Sequence, residues 1–175
     1  MKRYPGVVTA LVKNLNDPDG LGRIELQFPW LSDSVRSSWA PVAAPLAGKN
    51  RGAFFMPEID DEALVAFEHG DVNHPLIIGF LWNGVDTPPE TTNQNRVIKT
   101  PGGHQLRFED KNGEKKVILK SNGGHQIEID DAAEKITIKT NSGNQLVVLN
   151  DANKSTTVRG GGRLIEMANG KIQMS

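Results

Sequence analysis

Residues 102–175 repeat a short sequence pattern with a period of about 20 residues. The run Gly-His-Gln-Leu-Arg-Phe at 103–108 returns in related form at 124–129 and at 143–148, and a weaker copy begins at Gly161. Each copy is followed by a short polar turn and a second strand-like run. A fixed period of this size is typical of repeat architectures, in which each unit packs mainly against its neighbours.

Within the repeats, apolar and polar residues alternate, which is the pattern of β-strands with one apolar face. Ile127 and Ile129 point one way, for example, while Glu128 points the other way. One or two apolar residues in each strand are predicted to form the core of this region: Leu106, Phe108, Val117, Leu119, Ile127, Ile129, Ile136, Ile138, Leu146 and Val148.

Such a stripe of apolar residues is too thin to be buried by one chain of hairpins, which would also leave long open edges. Three chains wound about a common axis solve both problems, so we predict an intertwined homotrimeric β-helix stalk over residues 102–175, with about four repeats. A single-chain solenoid is the rival interpretation. The fourth repeat leaves two registers open, Leu164 with Glu166 or Ile165 with Met167.

The first half of the chain has short apolar runs separated by turn signals, and it contains all three tryptophans. Its predicted strands cover residues 6–15, 23–28, 38–46, 62–68 and 75–82. Five short strands suit a small closed barrel of the OB type, because closure removes exposed strand edges. We therefore predict an all-β protein with an OB-type barrel at 1–85, a polar, proline-containing linker at 86–101 and the stalk at 102–175.

Composition excludes several classes of protein. The chain has no cysteine, so neither a disulfide framework nor a thiolate metal site is possible. A formal net charge of −1 lacks the basic surplus of a general nucleic-acid-binding domain. No apolar run has the length of a signal peptide or a membrane-spanning helix. Assembly in the bacterial cytoplasm is therefore expected, with any later release by another route such as lysis.

Two groups of polar residues are candidate chemical sites. Asp60, Asp61 and Glu62, with Glu58 nearby, resemble a catalytic carboxylate group, but they fall in a turn, where solvated acids are the more economical interpretation. There is no nucleophile elbow and no phosphate-binding loop. The sequence therefore predicts no enzyme, no catalytic residue and no cofactor.

The histidines of the repeats, His104 and His125, occupy equivalent positions. In a trimer each forms a ring of three imidazoles if it faces the axis, and such a ring is a candidate ion site. The alternative is a polar residue at a strand start that caps a turn, and we favour this alternative because spacing alone fixes no ligand geometry.

Aromatic residues of the first half offer a further candidate, a base-stacking platform on the OB barrel. Core or interface packing is favoured instead, because the basic residues do not interleave with the aromatic ones. The residues concerned are Trp30, Trp39, Trp82, Phe54, Phe55, Phe67 and Phe80.

Two stretches, LGRIELQFPWL at 21–31 and FFMPEIDDEALVAFEHGDVNHPLIIGFLWNG at 54–84, resemble the OB domain of contractile-tail spike proteins. That family includes phage baseplate assembly protein V, the tail-lysozyme spike of myophages and VgrG of type VI secretion. The resemblance covers nearly all of residues 4–84, and the glycine-rich repeats after residue 101 are similar to the family's triple-stranded β-helix.

This resemblance implies a structural spike in a phage tail, a type VI system or an extracellular contractile particle, where it joins a trimeric hub to the tip and pierces the target envelope. VgrG proteins carry a large hub region before this barrel and nothing precedes Tyr4, so a separate baseplate hub protein is expected. A PAAR-type tip protein is expected on Ile172 and Met174. Related spikes hold an ion between His-x-His ligands, and no such pair occurs in this chain, so no metal is predicted.

Two alternative functions stay open at the level of sequence. In the first alternative the chain carries effector or toxin cargo on the spike, which is compatible with the structural spike function. In the second alternative it is an oligonucleotide-binding OB protein. We expect no nucleic-acid partner and only transient contact with the target membrane. Effector cargo is the optional partner.

Overall fold

The computed structural model describes residues 3–32 and 34–175. The chain divides into two compact units, Met1–Thr87 and Pro88–Ser175. Both consist of β-strands and turns, apart from one 3-10 turn at Glu68–Gly70. Within the part of the chain that the structure describes, no helix has the length and hydrophobicity to cross a bilayer.

The N-terminal unit contains a four-stranded antiparallel sheet and a separate two-stranded hairpin. The sheet has the strand order β2-β1-β5-β6, and the hairpin is β3-β4. The strands are β1 (Val7–Asn14), β2 (Glu25–Gln27), β3 (Ala47–Gly48), β4 (Arg51–Gly52), β5 (Glu62–Phe67) and β6 (Pro75–Phe80).

The predicted strand at 38–46 is replaced by isolated bridges. Ala40 bridges to Ile24 beside β2, and Val42 bridges to Ile77 in β6. Pro41 and Pro45 have no N–H to donate, so this segment cannot continue a regular ladder. Regular strand pairing is therefore four-stranded rather than five-stranded, and closure of the barrel stays a prediction.

The core of the N-terminal unit lies between the inward-facing residues of three strands, β1, β5 and β2. Strand β2 ends directly before Phe28. The buried apolar residues are Ala10, Val12, Ile24, Leu26, Phe28, Ala40, Ala63, Val65, Phe67 and Ile77. The Phe28 ring lies 5.5 Å from that of Phe67 and 5.8 Å from that of Trp30. Each fully buried large side chain contributes about 1.5–3 kcal/mol of transfer free energy, so this unit has a core of its own.

The C-terminal unit is one nine-stranded antiparallel sheet whose strands follow each other in chain order. Each strand pairs with the preceding and the following strand of the same chain. The strands are β7 (Asn95–Lys99), β8 (Gln105–Glu109), β9 (Lys116–Lys120), β10 (Gln126–Asp130), β11 (Lys135–Lys139), β12 (Leu146–Asn150), β13 (Ser155–Gly160), β14 (Arg163–Ala168) and β15 (Lys171–Met174).

Strand β7 lies inside the stretch 86–101 that the sequence predicts to be a linker. Val97 and Ile98 of β7 pair with Arg107 and Leu106 of β8, so this strand is the first of the sheet. The prediction failed for these residues because β7 lies before the first copy of the glycine-containing repeat.

The register of the sheet corrects two of the predicted core residues. In β12, Val147 pairs with Ile138 and Leu149 pairs with Ile136, so Leu146 and Val148 lie on the opposite face. The sequence of β12 is apolar at four successive positions, Leu146 to Leu149, so alternation alone does not choose between the two registers. For β14 the sequence leaves two registers open. The structure has the register of Ile165 with Met167, which pair with Val158 and Thr156.

Candidate functional site

One face of the nine-stranded sheet carries two rows of apolar residues that run across it, and we call it the apolar face. The first row is Ile98, Leu106, Leu119, Ile127, Ile138, Val147, Val158, Ile165 and Met174. The second row is Phe108, Val117, Ile129, Ile136, Leu149, Thr156, Met167 and Ile172, with Arg96 at its β7 end. Apart from Arg96, Thr156 is the one polar residue within these rows.

This apolar face is open to solvent in the single chain. Ile127 keeps 40% of its surface exposed and Ile138 keeps 47%, although both lie in the middle of the sheet. Water contact of apolar surface costs about 25 cal/mol per Å². A sheet normally buries its apolar face against a second layer. The described residues of this unit supply none, so the face is the leading candidate for a contact with another chain.

The opposite face, which we call the polar face, is held by ion pairs within the chain. Arg107 lies 2.7 Å from the carboxylates of both Glu90 and Glu109, and Lys116 lies 2.7 Å from that of Asp130. The side chain of Asp130 is only 9% exposed. Several charged groups of this face therefore have partners within the chain, whereas the apolar face is not covered by the described residues of this unit.

Two carboxyl groups of this unit are stabilised in their charged form. The backbone N–H of Thr92, followed by the amide of Asn95 and the backbone N–H of Thr91, lowers the pKa of Glu90 to about 2. Hydrogen bonding to Lys116 lowers the pKa of Asp130, and the same contact raises the pKa of Lys116. These shifts indicate structural charges that stabilise the fold, since the groups lie in ion pairs.

The last strand, β15, exposes the two residues that the sequence nominates for binding a tip protein. Ile172 is 70% exposed and Met174 is 79% exposed. Both belong to the apolar face, because Ile172 pairs with Met167 and Met174 pairs with Ile165. They form the end of the two apolar rows on an edge strand, and their role in tip binding stays a prediction.

The two repeat histidines cap turns. Nδ1 of His104 accepts a hydrogen bond from the backbone N–H of Asn122 at 3.3 Å, and Nδ1 of His125 accepts one from Asn141 at 3.4 Å. Each imidazole thus contacts the next turn along the same edge of the sheet. Gly124 has φ +85°, and an added Cβ would collide with Oδ1 of Asn141, so only glycine fits this turn.

The carboxylates at 58–62 belong to turn structure rather than to a cleft. Asp61 accepts a hydrogen bond from the backbone N–H of Glu58 at 2.8 Å, and Asp60 pairs with Lys13. Glu62 accepts one from the side-chain amide of Asn83 at 3.0 Å. Each of these carboxylates therefore stabilises a local turn or a contact between strands.

The aromatic residues of the N-terminal unit separate into two groups. Phe67 and Trp30 pack around Phe28, and Trp39 is half-buried. Phe54, Phe55, Phe80 and Trp82 are exposed. The exposed group does not form one flat platform for stacked bases. Phe54, Phe55 and Phe80 line a groove of about 760 Å³ beside the β3-β4 hairpin, whereas Trp82 lies outside its lining.

Sequence reasoning missed that groove, whose other lining residues include Leu21, Pro45 and Leu46. The segment reads as a proline-interrupted strand, and the groove arises because the chain leaves the sheet between residues 43 and 56. The run of apolar residues at 53–56, placed outside any predicted strand, was the signal available in the sequence.

A further structural centre lies in the turn between β1 and β2. Asp17, whose side chain is 3% exposed, accepts hydrogen bonds from the backbone N–H groups of Asp19, Leu21 and Arg23. Its carboxylate also accepts bonds from Nε and Nη2 of Arg23, at 3.0 and 2.6 Å. These contacts lower the pKa of Asp17, with the Arg23 side chain as the largest cause.

Comparison with known proteins identifies relatives for the greater part of the chain. Residues 8–82 match the family described as the Type VI secretion system/phage-baseplate injector OB domain. The chain is similar to the type VI secretion system spike protein VgrG5 of Pseudomonas aeruginosa, with 34% identity over 126 residues, which cover 65% of the chain and 16% of that protein.

Two relatives from Vibrio cholerae show the same degree of similarity. The type VI secretion system spike protein VgrG3 is 30% identical over 113 residues, covering 58% of the chain and 11% of that protein. The actin cross-linking toxin VgrG1 is 31% identical over 113 residues, covering 58% of the chain and 10% of that protein. The chain thus spans less than a fifth of the length of these relatives.

Proposed function

Because the chain belongs to the VgrG-like family of contractile-injector spikes, we propose that it is itself the structural spike of such a machine. In this proposal three copies assemble with their apolar faces toward a common axis. The N-terminal OB domain joins the stalk to the rest of the injector, and the stalk is the part that enters the target envelope.

The observation that carries this proposal is the uncovered apolar face of the nine-stranded sheet. Its two rows of apolar side chains cross the whole sheet, and the polar face carries ion pairs within the chain around Arg107 and Lys116. Three copies arranged as a triangular prism bury all three apolar faces and leave the three polar faces in water. Every strand between β7 and β15 is paired within its own chain, so a second chain is needed to cover the face rather than to pair those strands.

We propose a structural rather than a catalytic role. The relatives named as spike proteins support this role, and the carboxylates at 58–62 take part in turns. Rigidity in such an assembly comes from many hydrogen bonds that must break together, which gives kinetic stability without disulfides. One relative is named as an actin cross-linking toxin, so transport of effector cargo on the spike is a compatible second function.

Two partner proteins complete the proposal. A baseplate hub protein contacts the OB domain, and the exposed groove beside the β3-β4 hairpin is an apolar surface suited to such a contact. A PAAR-type tip protein covers Ile172 and Met174 at the end of the stalk. The assembled particle forms in the bacterial cytoplasm, acts in transient contact with a target membrane and is in some systems released from the cell.

The decisive experiment measures the mass of the purified protein in solution by light scattering and its outline by electron microscopy. The proposal expects a trimer that forms a rod joined to a three-fold head. A stable monomer would refute it. A dimer, in which two sheets pack face to face as in a β-sandwich, would keep the covered face but refute the three-fold spike.

A further inference from the structure

The two edges of the apolar face carry different chemistry. We call one the histidine edge: it consists of the turns that contain His104 and His125, together with the turn from Thr140 to Gln145. The other we call the acidic edge: it includes the turns around Asp131 and Glu134 and around Asp151, and also the turn from Asp110 to Lys115. Because the strands run back and forth, every second turn falls on the same edge.

On the histidine edge, the imidazoles present an N–H donor. Nδ1 of His125 accepts a hydrogen bond from the backbone of Asn141, so a neutral ring carries its proton on Nε2. The described residues provide no acceptor for Nε2 of His125 or His104. His125 also lines a groove of about 520 Å³ with Leu119, Ile127 and Ile138 of the apolar face.

On the acidic edge, three carboxylates lie at one groove. Asp131, Glu134 and Asp151 line this groove of about 330 Å³, together with Ile129, Ile136 and Leu149 of the apolar face and with Asp130 and Lys135. The backbone N–H of Asp151 donates to the carbonyl of Glu134 at 2.9 Å, which keeps the two turns adjacent. Within residues 3–32 and 34–175, these three carboxylates are in no ion pair.

Symmetry determines which edges meet. In a closed ring of three identical chains the contacts are heterologous, so one edge of each chain meets the other edge of the next chain. We infer that the histidine edge of each copy docks on the acidic edge of its neighbour, with Nε2 of His125 donating to the carboxylate groove of Asp131, Glu134 and Asp151. This inference rests on the proposed trimer and specifies its interface.

The positions of the turns support this docking. The turn that holds His125 joins β9 and β10, and the turn that holds Asp131 and Glu134 joins β10 and β11. Turns on the two edges are therefore offset by one strand, which is about 4.8 Å along the sheet. Turns of one edge can enter the spaces between turns of the other, while the apolar rows beneath them meet near the axis.

Cysteine cross-linking tests the inference directly, since the natural chain has no cysteine. The full-length double variant His125→Cys/Asp131→Cys is oxidised gently, or treated with a short thiol-specific cross-linker, and run on a denaturing gel without reductant. We expect covalent trimers. Each single variant alone should give only monomers, and a co-expressed mixture of the two single variants should give covalent dimers.

The matched control is Gln126→Cys/Lys135→Cys, which places the two thiols on the polar face of the same pair of strands. This control should cross-link much less than the double variant. Covalent dimers from His125→Cys alone would show that like edges meet and would overturn the inference. A trimer in solution without cross-linked product would overturn the inference but not the proposed function, and a monomer in solution would overturn both.

A second measurement avoids cysteine altogether. His125→Lys keeps a donor at the proposed contact, so the thermal midpoint of trimer dissociation should change little. His125→Asp places a negative charge opposite the acidic edge, so that midpoint should fall by several degrees, and adding Asp131→Lys should restore it. Equal midpoints for the wild type, His125→Lys and His125→Asp would overturn the inference.

Discussion

At the scale of single residues, Asp17 is the charge on which the turn between β1 and β2 depends. Its carboxylate gathers backbone N–H groups from both sides of Gly20 and binds the Arg23 side chain in a bidentate manner. A buried carboxylate with this many donors costs far more to remove than an exposed one, because its donors lose their acceptor.

Replacement of Asp17 by Asn should therefore destabilise the N-terminal unit. We expect the thermal midpoint of this unit to fall by several degrees, whereas Asp19→Asn in the same turn should change it by much less. All the tryptophans lie in this half of the chain, so tryptophan fluorescence measures its unfolding. Equal midpoints for the two variants would show that the Asp17 contacts contribute nothing particular.

Glu90 allows a test by pH. The pKa of its carboxyl is lowered from 4.5 to about 2, first by the Thr92 N–H, so its charged form stabilises the folded state. That contribution is complete above about pH 4.5 and is lost as the pH falls toward 2. Glu90→Gln should thus be less stable than the wild type at neutral pH, and the difference should vanish near pH 2. Amide exchange of residues 88–110, read by mass spectrometry, is the measurement.

The sequence predicted residue roles only where a local pattern determines them. The turn at 16–20 was predictable from its Asp-Pro-Asp-Gly composition, but the pairing of Asp17 with Arg23 depends on how the chain folds back after Gly22. For His104 and His125 the sequence left a ring and a turn cap open. The hydrogen bonds to Asn122 and Asn141 favour the cap, a contact between turns about 16–18 residues apart in the chain.

At the scale of elements, a shift of one residue in the register of a strand decides which of its side chains face a partner chain. Most of the stalk strands alternate clearly, so the predicted residues of β8 to β11 lie on one face, as the ladder pairs show. Strand β12 does not alternate, and there the prediction of Leu146 and Val148 was wrong. The pairing with β11, a contact beyond the strand itself, determines that Val147 and Leu149 join the apolar face.

This register can be tested with neighbouring residues of one strand. Val147→Lys places a charge on the apolar face and should abolish the oligomer, because an unpaired ammonium would be buried in the assembly. Val148→Lys lies between Thr137 and Thr157 on the polar face, so the oligomer should persist with a stability change within about 0.5 kcal/mol. Sedimentation of the two variants distinguishes them, and loss of the oligomer with Val148→Lys alone would reverse the assigned faces.

At the scale of the whole molecule, the two units differ in whether they can bury their own apolar residues. Among its described residues, the N-terminal unit has ten buried apolar residues, one of which is Phe28. In the C-terminal unit the large apolar side chains line an open face instead. The division into two halves was predictable from composition, since the aromatic residues and the repeats segregate, but the position of β7 was not, because it precedes the first repeat.

Separate expression of the two units should reveal this difference. Residues 1–87 are expected to fold as a monomer with a cooperative transition. Residues 88–175 are expected to gain their β-structure only on association, so their circular dichroism should depend on protein concentration. A C-terminal unit that stays folded and monomeric at low micromolar concentration would contradict the requirement for neighbouring chains.

The chain-order arrangement of the nine-stranded sheet also makes its length adjustable. Each hairpin contacts only the hairpins before and after it, so insertion or removal of one repeat would change the sheet by two strand spacings, roughly 9–10 Å, and leave both ends unaltered. Gene duplication within such a segment therefore changes the length of the sheet in fixed increments, without any change to the sequence of the N-terminal unit or of the terminal strand β15.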